Sequence, residues 1–152
     1  MKVIFLDIDG VLNAGDFDAD AESSSIDRRA VGRLKRVLRD TGAQIVLSSS
    51  WRYMVLEGAM TLSGFEYLLR THGMPKGCLL DCTCADEMTG DRGAQIRRWV
   101  AEHRPLEQWA VLDDVELALG DEGWRHVRPR RDQGLSEDDA AALVRILSGQ
   151  AP

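Results

Sequence analysis

Lys2-Val3-Ile4-Phe5-Leu6-Asp7-Ile8-Asp9-Gly10-Val11-Leu12-Asn13 is the stretch on which the fold turns. An apolar run of strand length leads straight into Asp-x-Asp-Gly, which reads as a buried strand delivering two carboxylates to its carboxyl end. The glycine beside them can take a sharp turn. Open α/β sheets place their ligands at that end of the strands. Two carboxylates held close together beside a hydrophobic strand cannot both stay ionised without compensating positive charge. A hard divalent cation, Mg²⁺ above all, resolves the conflict with oxygen ligands. The competing reading of these residues taken alone is a strand that enters a solvated Asp-Gly turn.

Three later segments extend the pattern. Ala43 to Leu47 reads as a second apolar strand, and it runs into Ser48-Ser49-Ser50-Trp51-Arg52. Trp109-Ala110-Val111-Leu112 reads as a third strand and ends in Asp113-Asp114. Between them, Asp91-Arg92-Gly93 opens a helical pattern that puts a cation ahead of an apolar face. The order strand-Asp-x-Asp, strand-Ser, cation, strand-Asp-Asp resembles the four motifs of the haloacid dehalogenase (HAD) superfamily of phosphatases and phosphotransferases. The Ser-Ser-Trp-Arg run, Asp-Gly-Val-Leu-Asn and Gln133-Gly134-Leu135-Ser136 look like a small branch of it that includes domains associated with RNA repair proteins.

The resemblance implies roles residue by residue. Asp7 matches the nucleophile, which attacks phosphorus and forms an aspartyl-phosphate. Asp9 matches the acid/base residue that protonates the leaving oxygen and later activates water. Either Ser48 or Ser49 is to hold a phosphoryl oxygen. Arg92 stands where the family more often has lysine, and a guanidinium keeps the charge while holding two oxygens at once. Lys76 is a weaker substitute for it. Asp113 and Asp114, with Asp7 and the backbone carbonyl of Asp9, match the Mg²⁺ ligands. Trp51 and Arg52 offer a stacking surface for a base and a contact for a phosphate, against the reading of Trp51 as core.

Around these motifs the chain alternates strands and helices. Helices are expected from Ile26 to Leu38, stopped by Thr41-Gly42; around Phe65 to Leu69, closed by Gly73; from Gly90 to Arg104; and after Ser136 as cap. Short strands are expected at Cys78 to Leu80 and Trp124 to Val127, and a loop over Ala14 to Ser25. The expected fold is a doubly wound α/β parallel sheet, Rossmann-like, as one domain over 1–152 without a substantial cap. An uncapped site suits a phosphate on a large molecule, so the substrate expected from the resemblance is a nucleotide or polynucleotide end. A small metabolite phosphate and a non-catalytic binding module are the alternatives.

The 152 residues, 44% hydrophobic and 29% charged, are ordinary for a globular protein. A formal charge of −6 argues against generic attraction to nucleic acid or anionic membrane. Local basic clusters remain at Arg125, Arg128, Arg130 and Arg131, and at Arg97, Arg98 and Arg104. No apolar run reaches the length of a membrane span and no basic leader precedes the first strand, which gives the expectation of a cytoplasmic protein. Three cysteines, Cys78, Cys82 and Cys84, read as reduced thiols; with His72 they form only an irregular zinc spacing.

Overall fold

The computed structural model describes residues 1–14, 26–83, 90–103 and 105–150. Its centre is a five-stranded, wholly parallel sheet in the order β3-β2-β1-β4-β5. The strands are β1 (Lys2–Leu6), β2 (Gln44–Leu47), β3 (Leu79–Cys82), β4 (Gln108–Leu112) and β5 (His126–Val127). Helices α1 (Arg28–Thr41), α2 (Arg52–Leu56), α3 (Leu62–Thr71), α4 (Arg92–Glu102) and α5 (Glu137–Leu147) complete it. This is the α/β Rossmann-like architecture expected, and no substantial cap is present among the described residues. Cys84, Arg104 and nearly all of the loop expected over Ala14 to Ser25 lie outside those residues.

The alternation of side chains along a strand divides the core between two helical layers. Ile4 and Leu6 of β1 pack with Ile45, Leu47, Ala110 and Leu112 against α1, α3 and α5. Val3 and Phe5 point the other way, with Val46, Trp109 and Val111, onto Ile96, Trp99 and Val100 of α4. Phe5 meets Trp99 and Trp109 edge-on at 5.3 and 5.9 Å between ring centroids. Both sheet faces are therefore buried, which is why the strands read as near-continuous apolar runs.

The helix ends follow local chemistry. Asp27 caps α1 through a bond from Arg29 N, and Gly42 ends it at φ 70°. Asp91 caps α4, starting it two residues after the expected Gly90 because its side chain accepts from Ala94 N. The late strand is shorter than expected: Gly120–Arg125 winds into a 3₁₀ turn that takes up Trp124, leaving only His126–Val127 in β5. The Trp124 indole lies under the Arg125 guanidinium at 4.1 Å, a contact a straight strand would not make. Among the described residues no helix is long and apolar enough to cross a membrane.

Ser136 caps α5 with a full capping box, its hydroxyl bonding Asp139 N at 3.2 Å while Asp139 Oδ2 accepts from Ser136 N at 2.9 Å. Ser136→Ala is expected to cost about 1 kcal/mol of unfolding free energy. Urea unfolding followed by circular dichroism measures it as a lower midpoint at unchanged slope.

Candidate active site

The parallel ladders run one residue past each strand and align the site. Asp7 N donates to Leu112 O at 2.9 Å, Ser48 N to Leu6 O at 2.9 Å, Thr83 N to Leu47 O at 2.9 Å and Asp113 N to Val127 O at 3.3 Å. Thr83, Ser48, Asp7 and Asp113 thus stand in one row along the carboxyl edge of four adjacent strands. Asp7 is 4% exposed and Asp113 1% exposed, a depth at which an unpaired carboxylate is costly.

Arg92, the first residue of α4, answers them both. Its Nη1 lies 2.5 Å from Asp113 Oδ2 and 3.4 Å from Asp7 Oδ2. Gly93 lets the helix approach this close, since a Cβ there would sit 2.7 Å from the Ala118 carbonyl oxygen. Burial works against the Arg92 charge, yet Asp113 and Asp7 outweigh it and hold the guanidinium above its ordinary pKa. Lys76 cannot substitute: it is exposed before the start of β3, at the opposite edge of the parallel sheet.

One arginine does not neutralise the cluster. Burial, followed by the charge of Asp113, raises the Asp7 carboxyl to about 6, against the lowering pull of Arg92 and a hydrogen bond with Ser49. Asp7, Asp113 and Asp114 each offer an oxygen within 4.8 Å of the others. An all-oxygen, under-compensated set of this kind fits a hard divalent cation. Gly10 makes room for it: at φ 81° a Cβ would meet Asp114 Oδ2 at 2.5 Å. Arg131 borders the cluster, with Nη1 3.4 Å from Asp114 Oδ2.

The loop after β2 separates its serines. The Ser49 hydroxyl faces Asp7, whereas the buried Ser48 Oγ has no hydrogen-bond partner among the described residues. Arg52 is 4% exposed, and its Nη1 donates to Ser48 O at 3.2 Å and Ser49 O at 2.8 Å, its Nη2 to Gln95 Oε1 at 2.9 Å. Its guanidinium is spent inside the protein instead of standing ready at the surface. Because each peptide is planar and trans, holding those two carbonyls inward turns the N–H groups of Ser49 and Ser50 away from Arg52. Trp51 is half-buried, edge-on to Phe65 at 6.0 Å, and its indole N–H donates to Asp9 Oδ2 at 3.0 Å.

Two buried participants were given no site role by the sequence patterns, although Asn13 closes the Asp-Gly-Val-Leu-Asn run. Asn13, 3% exposed, donates from Nδ2 to Asp9 Oδ1 at 2.9 Å. Gln95, 6% exposed, anchors Arg52. The amide of Asn13 after the apolar Val11-Leu12 was the available sign for it, whereas Gln95 stands among Arg92, Arg97 and Arg98 and gave none. The zinc arrangement does not assemble: Cys78 and Cys82 lie at opposite ends of β3, about 13 Å apart at the usual rise per residue. Burial also pushes the Cys78 thiol up to about 11. His72 uses Nδ1 on Leu68 O at 3.0 Å.

The family model described as the HAD domain in Swiss Army Knife RNA repair proteins matches residues 3–140. The chain belongs to this HAD family. No curated protein and no solved structure matches the chain. The match spans every site residue of this HAD domain, from Asp7 to Arg131, and supports a HAD-type hydrolase with a metal-ready acidic cluster. Its Gln133-Gly134-Leu135-Ser136 stretch is tied to the turn after β1, with Leu135 N donating to Val11 O at 2.8 Å.

A carboxyl that titrates near 6 when folded and near 3.8 otherwise binds its proton more tightly in the native state. Its contribution to stability is full below the lower value and is lost as pH rises through the higher one. In EDTA, Asp7→Asn is therefore expected to raise the unfolding free energy at pH 8, by an amount on the order of 2–3 kcal/mol, and the melting temperature with it. The gain shrinks toward zero at pH 4. Calorimetry of both proteins across that range measures it.

Proposed function

We propose that this HAD domain is a Mg²⁺-dependent phosphomonoesterase that works through an aspartyl-phosphate, on the terminal phosphate of a nucleotide or polynucleotide. The observation that carries the reading is the convergence on Asp7: Arg92 at 3.4 Å, the Ser49 hydroxyl, and the Asp113 and Asp114 carboxylates. These are the parts a phosphoryl transfer needs, a nucleophile, donors for the equatorial oxygens and charge to offset the dianion. Asp9 supplies the acid/base group two residues along.

In the first step an Asp7 oxygen attacks phosphorus in line, the bond to the leaving oxygen breaks, and that oxygen takes a proton from Asp9. In the second, water attacks the phosphoryl group, Asp9 accepts its proton, and the bond to Asp7 breaks. Ser49 and Arg92 hold the phosphoryl oxygens throughout. Asp7, Asp113, Asp114 and the Asp9 carbonyl would hold Mg²⁺, which supplies neutralisation between carboxylate and phosphate. The lack of a substantial cap among the described residues and the family's description as a domain of RNA repair proteins favour a nucleic-acid end over a metabolite.

Asp7→Asn is expected to reduce Mg²⁺-dependent hydrolysis of 4-nitrophenyl phosphate to the detection limit, because the amide lacks the attacking oxyanion. EDTA silences the wild type and Mg²⁺ restores it. Turnover by the variant, or by the wild type in metal-free buffer, removes the reading.

Substrate class is read separately. For a terminally phosphorylated oligonucleotide, kcat/KM is expected to exceed that for the matching mononucleotide and to fall more steeply with added salt, since further phosphate contacts release counterions. Equal efficiencies with equal salt slopes assign the protein to a small phosphorylated metabolite instead.

A further inference from the structure

Both oxygens of the Asp9 carboxylate are held. Asn13 Nδ2 donates to Oδ1 at 2.9 Å and Trp51 Nε1 donates to Oδ2 at 3.0 Å. Neither donor can turn away easily. The Asn13 Oδ1 accepts from Gly10 N at 3.0 Å, which fixes Nδ2 as the atom that faces Asp9. The Trp51 ring stands edge-on against the fully buried Phe65, and its backbone N–H donates to Ser49 Oγ at 3.2 Å. An indole N–H donates and never accepts, so Trp51 bonds Asp9 Oδ2 only where that oxygen accepts. Each carboxylate oxygen keeps a second lone pair for the proton it exchanges.

We propose that Trp51, with Asn13, is a positioning residue that fixes the Asp9 carboxylate for its acid/base role, an inference that rests on the phosphatase reading above. The same Asp9 must reach the leaving oxygen in one step and the attacking water in the next. A shift of about 1 Å in such a group costs on the order of a hundredfold in rate. Trp51 also links Asp9 to Ser49, so the residue that holds the phosphoryl group, after β2, and the one that handles its proton, after β1, are joined through one residue. The role differs from base stacking: the N–H edge is committed to a carboxylate and the ring to Phe65.

Trp51→Phe keeps a ring against Phe65 and removes only the donor. With 4-nitrophenyl phosphate, whose leaving group departs without a proton, the variant is expected to release a burst of nitrophenolate equal to the enzyme present. Steady-state turnover then falls about ten- to a hundredfold, because the second step needs Asp9 as base. An alkyl phosphate, which needs the proton at once, gives the same loss with no burst. In EDTA, the Trp51 indole ¹H–¹⁵N resonance of the otherwise intact protein shifts upfield on Asp9→Ala. Steady-state rates within about twofold of wild type, a loss of burst and turnover together, or an unmoved indole resonance each overturn the proposal. If Trp51→Phe does not fold, Asn13→Ala, which removes the donor to Asp9 Oδ1 without adding a charge, must give the same burst followed by slow turnover. A wild type that fails to turn over either ester refutes the phosphatase reading itself, whereas an active wild type with an unaffected variant refutes only the role of Trp51.

Discussion

The Asp7–Arg92–Asp113 bridge is the constraint around which the molecule is arranged. Two buried carboxylates on adjacent strands repel one another, and a single guanidinium at the head of α4 holds them together. Each part of the fold contributes to that meeting. β1 and β4 pair in parallel from Lys2↔Gln108 to Leu6↔Leu112, which sets Asp7 and Asp113 side by side. The packing of Phe5 against Trp99 and Trp109 docks α4 on the face to which both strands turn these side chains. Gly93 admits the final close approach. The pairing is electrostatically incomplete, and the raised pKa of Asp7 is the sign of it. A site that carries more negative charge than its own cation can balance has a raised affinity for protons and for a metal ion.

The loop after β2 shows how a second arginine does different work. Arg92 is partly accessible and faces carboxylates, whereas Arg52 is buried and faces carbonyl oxygens. Burial pushes the Arg52 guanidinium below its ordinary pKa, and no carboxylate among the described residues hydrogen-bonds to it. Its positive charge lies beneath the peptide groups of Ser48 and Ser49 and fixes their direction. The result is a loop whose carbonyls look inward and whose N–H groups look outward, the polarity an anion requires.

Much of this was legible in the chain. Val3-Ile4-Phe5-Leu6 gave a strand, Asp7 its carboxyl end, and the recurrence of that pattern at Leu47-Ser48 and Leu112-Asp113 gave a parallel sheet with one functional edge. Arg92 was readable because Asp91 caps the helix that presents it. What stayed hidden depends on long-range approach. Ser48 and Ser49 are chemically alike, and only the turn after β2 determines which hydroxyl meets Asp7. Trp51 and Arg52 look like ligands in sequence, because an aromatic and a cation beside a phosphate loop match a nucleic-acid surface. Their bonds to Asp9 and Gln95 depend on side chains 42 and 43 residues away. The β5 boundary was missed for a related reason: the Arg125 guanidinium stacks on both Trp109 and Trp124, and that stack favours a 3₁₀ turn over extension.

The surface around the site bears on how a large substrate would be held. The arginines that cluster late in the sequence are largely engaged: Arg125 with Glu122, Arg128 with Glu116 and the Asp114 carbonyl, Arg130 with Asp132, and Arg131 with Asp114. With a formal charge of −6, the protein has no broad positive field to draw a polynucleotide along its length. The choice of a terminal over an internal phosphate then lies, on the proposed reading, in the few groups around Asp7. Ser49 and Arg92 can serve a monoester's free oxygens, while the acidic row of Asp7, Asp113 and Asp114 repels any phosphate not partnered by a cation. Such a site selects the end of a chain over its interior, because a phosphodiester presents one charge fewer and one free oxygen fewer to Ser49 and Arg92.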